Sequence, residues 1–227
     1  MKDSYIKKFD FVYGSEVSYY GFDLRQEFTD FFRNRDIEAL TALDLGCGEG
    51  RYSLFLAQKG CRVHAVDRSS AGIDKLKKMA AEHCLPIQAE VLDIEDFQFQ
   101  GRRYDIIVAA TVLDHLQDPL RQQTIRSIEK ALHPGGILYV NVFTVSDPGF
   151  KVNMAAAQKN NPENEAENDP ENVSDTAECM EYYFGANELR QVFGDLEVLY
   201  YYEGTEPDLS HGRPHDHGWA CLLARKA

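Results

Sequence analysis

Residues 43–50, Leu-Asp-Leu-Gly-Cys-Gly-Glu-Gly, decide the fold of this 227-residue chain. The first three residues are predicted to end a β-strand, and a helix is predicted to begin at about Arg51. Glycine is needed where a chain turns sharply and where a ligand approaches the backbone without meeting a Cβ atom. This strand–turn–helix therefore predicts a ligand site at the carboxyl end of the strand.

Two common glycine-rich nucleotide sites do not match this loop. A dinucleotide fingerprint, G-x-G-x-x-G, that begins at Gly46 needs a third glycine where Arg51 stands. One that begins at Gly48 needs it where Ser53 stands. A P-loop is excluded as well, because no Gly-Lys-Ser/Thr follows.

Outward from the loop, apolar runs alternate with helical patterns, which predicts a mostly parallel sheet covered on both faces. The apolar runs are 39–45, 62–67, 87–93, 104–110 and 136–143. After a helix predicted over 186–193, two further strands over 196–203 and 217–225 have no helix between them. We expect those two strands to pair as an antiparallel hairpin.

The whole chain, 1–227, is predicted to be a single domain with two additions. Residues 1–38 form a helical cap, with an amphipathic helix over 16–33 that carries Tyr20. Residues 151–181 carry two lysines and eight acidic residues, a net charge of −6, which predicts a mobile insertion. In the helix after the fourth strand, Asp118 is interpreted as the N-cap and Pro119 as the first helical residue.

The spacing Asp44-x-Gly46-x-Gly48-x-Gly50 resembles motif I of class I S-adenosylmethionine (SAM)-dependent methyltransferases. Residues 132–136, Leu-His-Pro-Gly-Gly, resemble the segment that precedes the fifth strand in that family. The resemblance implies an α/β, Rossmann-like fold with a seven-stranded, mostly parallel sheet and a C-terminal antiparallel hairpin. It also implies SAM as the cofactor and S-adenosylhomocysteine as the product.

The same resemblance assigns cofactor contacts to strand ends. Asp67 takes the place of the acidic residue that binds both ribose hydroxyls, and Asp93 with Ile94 takes the place of the adenine contacts. The end of the fourth strand at Ala110 supplies carbonyl groups to the α-amino group. The cofactor-binding candidates are Asp44, Gly46, Gly48, Gly50, Arg51, Asp67, Arg68, Asp93, Ile94, Ala110 and, as an aromatic cover, Tyr20.

Candidate catalytic residues lie in two places. Asp114 and His115 follow the fourth strand, where this fold lines its substrate pocket, although His115 also suits a helix-entry or hydrogen-bonding role. Residues 187–190, Asn-Glu-Leu-Arg, and 223–226, Leu-Ala-Arg-Lys, resemble the tail of tellurite-resistance methyltransferases. That resemblance implies a substrate contact for His211, while Gly212 departs from that family's adjacent Arg. Three histidines lie within residues 211–217, but no carboxylate or Cys pattern completes a metal site, so no metal is predicted.

The net charge and the cysteine pattern limit the classes of partner and the compartment that we expect. A net charge of −13 disfavours nucleic acid and anionic membranes as partners. Five widely spaced cysteines with no C-x-x-C pair suit free thiols in a reducing compartment, and no leader or long apolar span is apparent. The expectation is a cytoplasmic monomer or homodimer.

These observations predict an enzyme that methylates a small soluble nucleophile, either a chalcogen oxyanion or a thiol-like group. Two alternatives stay open. One is methylation of a protein or RNA, for which the acidic insertion would be a recognition arm. The other is a non-catalytic regulatory module that binds SAM.

Overall fold

The computed structural model describes residues 9–14, 21–99, 101–152, 182–208 and 215–227. The strands are β1 Thr41–Leu45, β2 Arg62–Asp67, β3 Ile87–Val91, β4 Tyr104–Ala110, β5 Leu132–Phe143, β6 Glu197–Asp208 and β7 His215–Arg225. The helices are α1 9–13, α2 Gln26–Phe32, α3 Arg51–Gln58, α4 Ser70–Glu82, α5 Leu120–Ala131, α6 148–152 and α7 Glu188–Val192. Short 3-10 turns span Ile94–Asp96 and Leu113–His115.

The seven strands form one sheet in the order β3-β2-β1-β4-β5-β7-β6. Strands β1 to β5 pair in parallel, and β7 runs antiparallel to both β5 and β6. The strand order reverses at β1, whose neighbours are β2 and β4. The predicted fold class, including its C-terminal hairpin, is confirmed, and the reversal places a crevice at the carboxyl end of β1.

Alternate residues of the central strands enter two hydrophobic cores, one on each face of the sheet. Leu43 and Leu45 of β1 belong to the core that α5 and α7 cover. Ala42 belongs to the opposite core, which α2, α3 and α4 cover. This alternation fixes which β1 side chains face each layer, and it brings Asp44 to the same face as α3.

The N-terminal helix is shorter than its sequence pattern predicts. Helix α2 begins only at Gln26, because Gly21 has a left-handed backbone (φ +64°) and Arg25 is extended (ψ 138°). Within α2 the predicted stripe is confirmed at Phe28 and Phe32, which are fully buried. Residues 1–8 and 15–20 of the predicted cap, Tyr20 among them, lie outside the described residues.

Other boundaries also differ from prediction, among them the start of α5 and the end of β6. Asp118 is not the N-cap of α5, since Pro119 takes that position and the Asp118 carboxylate instead accepts a hydrogen bond from Arg121 at 2.6 Å. Strand β6 continues past 203 to Asp208 and includes Pro207. Proline is tolerated there because β6 is the edge strand and has no partner on its outer side.

No helix among the described residues is both long and apolar enough to cross a lipid bilayer. Of the predicted acidic insertion over 151–181, only residues 151 and 152 are described, and they belong to α6.

Candidate functional site

The glycine loop, residues 46–50, joins β1 to α3 and is held against the end of β2. The amides of Gly46 and Cys47 both donate to the carbonyl oxygen of Val66, at 2.8 and 3.0 Å. The amide of Gly48 donates to Asp67 Oδ2 at 2.9 Å. The path of the loop is therefore fixed by the neighbouring strand before any ligand enters.

Glycine is required in this loop by the backbone and by protein packing. Gly46 has φ +69°, and a Cβ atom there would lie 2.4 Å from the Cγ2 atom of Val112. Gly50 has φ +83°, and a Cβ atom there would lie 2.4 Å from Cδ1 of Leu76. A closely approaching ligand is one reason predicted for these glycines, whereas at both positions the atom nearest to an added Cβ belongs to a buried side chain.

Asp67 ends β2, and its two carboxylate oxygens bond to the glycine loop and to the N-cap of α4. Oδ2 accepts from Gly48, and Oδ1 accepts from the amide of Ser69 at 2.7 Å. Burial raises the pKa of Asp67, and the two amide hydrogen bonds oppose that rise. A carboxylate offers about four lone-pair positions, so the group keeps acceptor capacity toward a ligand.

A smaller cavity lies beside Asp67, at the ends of β2 and β3. Its wall includes Asp67, Arg68, Asp93 and Ile94. Asp93 also caps the following 3-10 turn, because its Oδ1 accepts from the amide of Glu95 at 3.1 Å. Four residues predicted separately from the ends of two strands are thus brought to one cavity.

A larger cavity of about 280 Å³ lies at the ends of β1 and β4. Gly46, Arg51 and Ala110 line one end of it. Both cavities are lined by Phe9, Gly46, Thr111 and His115, so they adjoin at the mouth of the glycine loop.

Asp44 lies on the larger cavity although only 1% of its surface is exposed. Its Oδ2 accepts from the hydroxyl of Ser53, on the first turn of α3, at 2.6 Å. Burial raises the pKa of Asp44 to about 6, and the hydrogen bonds from Ser53 work against this rise. Arg51 lines the same end and donates to the carbonyl of Asp23 at 3.3 Å.

The end of β4 has an unusual backbone. Thr111 has φ +51°, and its amide donates to the carbonyl of Asn141 on β5 at 2.9 Å. The Thr111 hydroxyl donates to the carbonyl of Ala110 at 2.8 Å. The amide oxygen of Asn141 is buried and has no hydrogen-bond partner among the described residues, and Asn141 lines the larger cavity. An unsatisfied buried acceptor at a cavity wall indicates a place where a ligand donor is accommodated.

Asp114 and His115 are neighbours in the chain but differ in burial and in access to the cavities. His115 lines both cavities and meets the Phe9 ring edge-on, with centroids 5.6 Å apart. Asp114 is fully buried, lines neither cavity, and accepts from the amide of Phe143 at 3.0 Å. Burial raises the pKa of Asp114. The predicted pair therefore divides into one residue at the site and one behind it.

His217 also lies in the wall of the larger cavity, and it is paired with Asp147, a residue that no sequence pattern indicated. His217 Nδ1 lies 2.8 Å from Asp147 Oδ2, which also accepts from the amide of Gly218 at 3.0 Å. A Cβ atom on Gly218 would lie 2.3 Å from the amide nitrogen of Asp147, so glycine lets this turn reach β7. His217 is 4% exposed and belongs to a strand, not to a solvated loop.

Aromatic and charged side chains complete this wall. Trp219 stacks on Phe143 with centroids 4.2 Å apart, and the guanidinium of Arg25 lies 5.5 Å from the Trp219 ring. Arg25 also pairs with Glu206 at 2.8 Å. The sequence signal for this wall was the alternation His215-x-His217-x-Trp219, which places all three side chains on one face of β7. His211, the predicted catalytic residue of this region, lies outside the described residues.

Comparison with known proteins gives matches in sequence and in fold. Residues 42–136 match the family model described as a methyltransferase domain. A protein named Hemagglutinin 1 from Eikenella corrodens is 30% identical over 190 residues, which cover 81% of this chain and 54% of that protein. A ubiquinone biosynthesis O-methyltransferase from Coxiella burnetii is 37% identical over 109 residues, which cover 48% of this chain and 44% of that protein. The chain thus spans about half the length of these curated relatives.

Among solved structures, TehB from Haemophilus influenzae superposes with a TM-score of 0.69 at 23% identity. The alignment covers 97% of this chain and 67% of that one. This likeness extends the agreement in fold beyond the matched segment, to both ends of the sheet.

Proposed function

We propose, on the premise that residues 42–136 form a class I methyltransferase domain, that this chain transfers the methyl group of SAM to a small soluble nucleophile. The acceptor is a chalcogen oxyanion or a thiol-like group, and the product of the donor is S-adenosylhomocysteine. The observation that carries the proposal is the pair of adjoining cavities at the carboxyl ends of the parallel strands. We assign the smaller cavity and the part of the larger one beside Gly46 and Arg51 to the methyl donor, and call this the donor end. The part of the larger cavity lined by His217 and Trp219 is the acceptor end.

The residues that line the donor end include ones predicted to bind the cofactor, and the chemistry of these residues suits the groups of SAM. Asp67 has acceptor capacity left for the ribose hydroxyls, and Asp93 with Ile94 borders the same small cavity for the adenine. Asp44 and Arg51 offer opposite charges for the amino and carboxylate groups at the other side of the loop. Bound SAM supplies an activated methyl group, so the protein's task is to align the acceptor and exclude water.

The charge of the larger cavity favours the thiol-like acceptor of the two classes. Arg25 and Arg51 are its arginines, and the acidic residues of its lining are Asp23, Asp44, Glu49, Glu206 and Asp208. A lining with more carboxylates than arginines attracts a cationic donor and disfavours an anionic acceptor. A thiol that enters neutral avoids this repulsion.

Among the candidate catalytic residues, His115 borders both cavities. It remains our candidate for a residue that contacts the substrates where the methyl donor meets the acceptor. Asp114 acts through another residue in this proposal, since its carboxylate holds the amide of Phe143 behind the acceptor end. The described cysteines Cys47, Cys61, Cys84 and Cys221 are free thiols, which supports a reducing, cytoplasmic setting.

Calorimetric titration with SAM tests the donor end. We expect Asp67→Ala to weaken SAM binding at least about tenfold, because hydrogen bonds to a charged group contribute about 1.5–3 kcal/mol each. Asp67→Asn keeps the side-chain shape and one oxygen, which guards against collapse of the loop. Asp74→Ala, an exposed carboxylate on α4, serves as the matched control. Unchanged affinity in both Asp67 variants would remove this residue from the site.

A cell-extract screen with methyl-labelled SAM tests the acceptor end. We expect the label to appear in a small molecule and in neither protein nor RNA. Label in a macromolecule would contradict the small-acceptor proposal. Tight SAM binding with no labelled product from any extract would favour the regulatory module instead.

A further inference from the structure

Three potential metal ligands converge where β6 and β7 border the larger cavity. His215 and His217 lie two residues apart on β7, so their side chains share a face. Asp208 on β6 is the register partner of His215. One ligand atom from each of these three residues lies within 4.8 Å of the others. Sequence reasoning found no carboxylate for these histidines, because Asp208 meets them only through strand pairing.

Distances within this cluster suit a common ion. The Nε2 atoms of His215 and His217 are 2.9 Å apart, and Asp208 Oδ2 lies 3.9 Å from Nε2 of His217. Two nitrogens bound to one ion at about 2.0–2.1 Å stand about 3 Å apart when their bonds are near right angles. A common ion replaces the hydrogen bond between the two Nε2 atoms and draws the Asp208 carboxylate closer to them.

The orientation of His217 gives a second, independent indication. Its Nδ1 faces Asp147 Oδ2 at 2.8 Å, and the other oxygen of Asp147 accepts from the amide of Gly149 at 2.7 Å. A metal-binding histidine almost always donates its second ring N–H to a carboxylate, a carbonyl or water, which fixes the tautomer. Asp147 thus leaves the Nε2 lone pair of His217 directed at the cluster.

We propose that Asp208, His215 and His217 bind one divalent first-row transition-metal ion, with Asp147 as the positioning residue for His217. Two imidazoles and one carboxylate are a set that such ions accept while leaving coordination positions open. Asp208 and His217 line the larger cavity, so an open position faces the acceptor end. The positive charge of the ion offsets the excess of carboxylates in the larger cavity. Its open coordination position accepts the sulfur of a thiol-like acceptor. That last role rests on the proposed function, whereas the binding of the ion does not.

Cobalt(II) is the probe for this site because its visible absorption reports its ligands. The full chain, stripped with a chelator, is titrated with Co(II) while absorption and equilibrium dialysis are followed. We expect one equivalent to bind with imidazole-type bands, and His215→Ala and Asp208→Asn to weaken that binding at least about tenfold. Asp147→Asn should weaken it by about 10–100-fold while the same bands remain.

Asp216→Asn is the matched control, since Asp216 lies between the two histidines on β7 and is exposed. We expect wild-type Co(II) binding in this variant. Unchanged binding in both His215→Ala and Asp208→Asn, or no Co(II) binding by the wild type, would overturn the inference. His215→Ala and Asp208→Asn are the primary variants because both residues are partly exposed, unlike buried His217. SAM titration separates the two proposals: intact SAM binding without Co(II) binding overturns the metal site alone.

Discussion

Gly46 combines a left-handed backbone with a buried neighbour, so a methyl group there has two separate costs. An alanine at φ +69° costs about 1–2 kcal/mol, and forcing its Cβ toward Val112 adds about 1–3 kcal/mol. We expect Gly46→Ala to lower the free energy of unfolding in urea by about 2–5 kcal/mol. Gly101→Ala is the matched control, since Gly101 has φ +74° and nothing within 4 Å of the added Cβ. Equal losses of unfolding free energy in both variants would show that the Val112 side chain moves aside without a measurable cost.

Asp44 links stability to pH. Its pKa rises from 3.8 in the unfolded chain to about 6 on folding, so the folded state holds the proton more tightly. The contribution of this proton to stability is complete below pH 4 and is lost as the pH rises through about 6. We expect the stability of the wild type relative to Asp44→Asn to fall by roughly 3 kcal/mol over that range. Urea denaturation at several pH values measures this difference, and a difference that stays flat between pH 4 and 7 would contradict it.

Single site residues could be predicted from the sequence where the neighbouring residues in the chain already indicate their role. Asp67 ends a strand and the glycines form a motif, so both are recognisable within a few residues. Asp147 is not visible in this way, because it contacts His217 across 70 residues and stands before Pro148 in what resembles an ordinary turn. Only the antiparallel pairing of β5 with β7 brings the two side chains together.

At the scale of elements, the seven-residue helix α2 depends on packing and not on its own stability. The ring of Phe28 is fully buried and meets the rings of Phe32, Tyr52 and Tyr139, each with centroids 4.9 Å away. We expect Phe28→Ala to destabilise the fold by about 3–5 kcal/mol. Thermal or urea unfolding measures this loss, and Phe11→Ala, which removes a ring that is 85% exposed, is the control. A loss below about 1 kcal/mol for Phe28→Ala would mean that α2 is not held by this contact.

Element boundaries were predicted less well than element identities. The pattern of apolar residues over 16–33 has a helical period, but Gly21 has a positive φ and the helix begins only at Gln26, which periodicity does not predict. The strand predicted over 196–203 stops short of Pro207, and proline lacks the N–H that an inner strand needs. Its tolerance in β6 depends on the edge position, which the strand order alone determines.

For the whole molecule, alternating strands and helices predicted the layers of the sheet, and the lack of a helix between the last two strands predicted the terminal hairpin. The sheet's central strands contribute to both cores at once: Ile107 belongs to one and Ile106 to the other. Loss of the sheet therefore removes both cores together. From this we expect circular dichroism and tyrosine fluorescence to follow one coincident unfolding transition, as a single domain requires.

The adjoining cavities make that transition sensitive to the cofactor. A ligand that binds only the folded state at 100 times its Kd stabilises it by about 2.7 kcal/mol. For a chain of this size we expect SAM or S-adenosylhomocysteine to raise Tm by roughly 5–10 °C in a thermal unfolding scan. NADH, which shares the adenosine group, is the control, because Arg51 and Ser53 stand where a dinucleotide loop needs glycine. A larger shift with NADH than with SAM would contradict the assignment of the glycine loop to an adenosyl-sulfonium ligand.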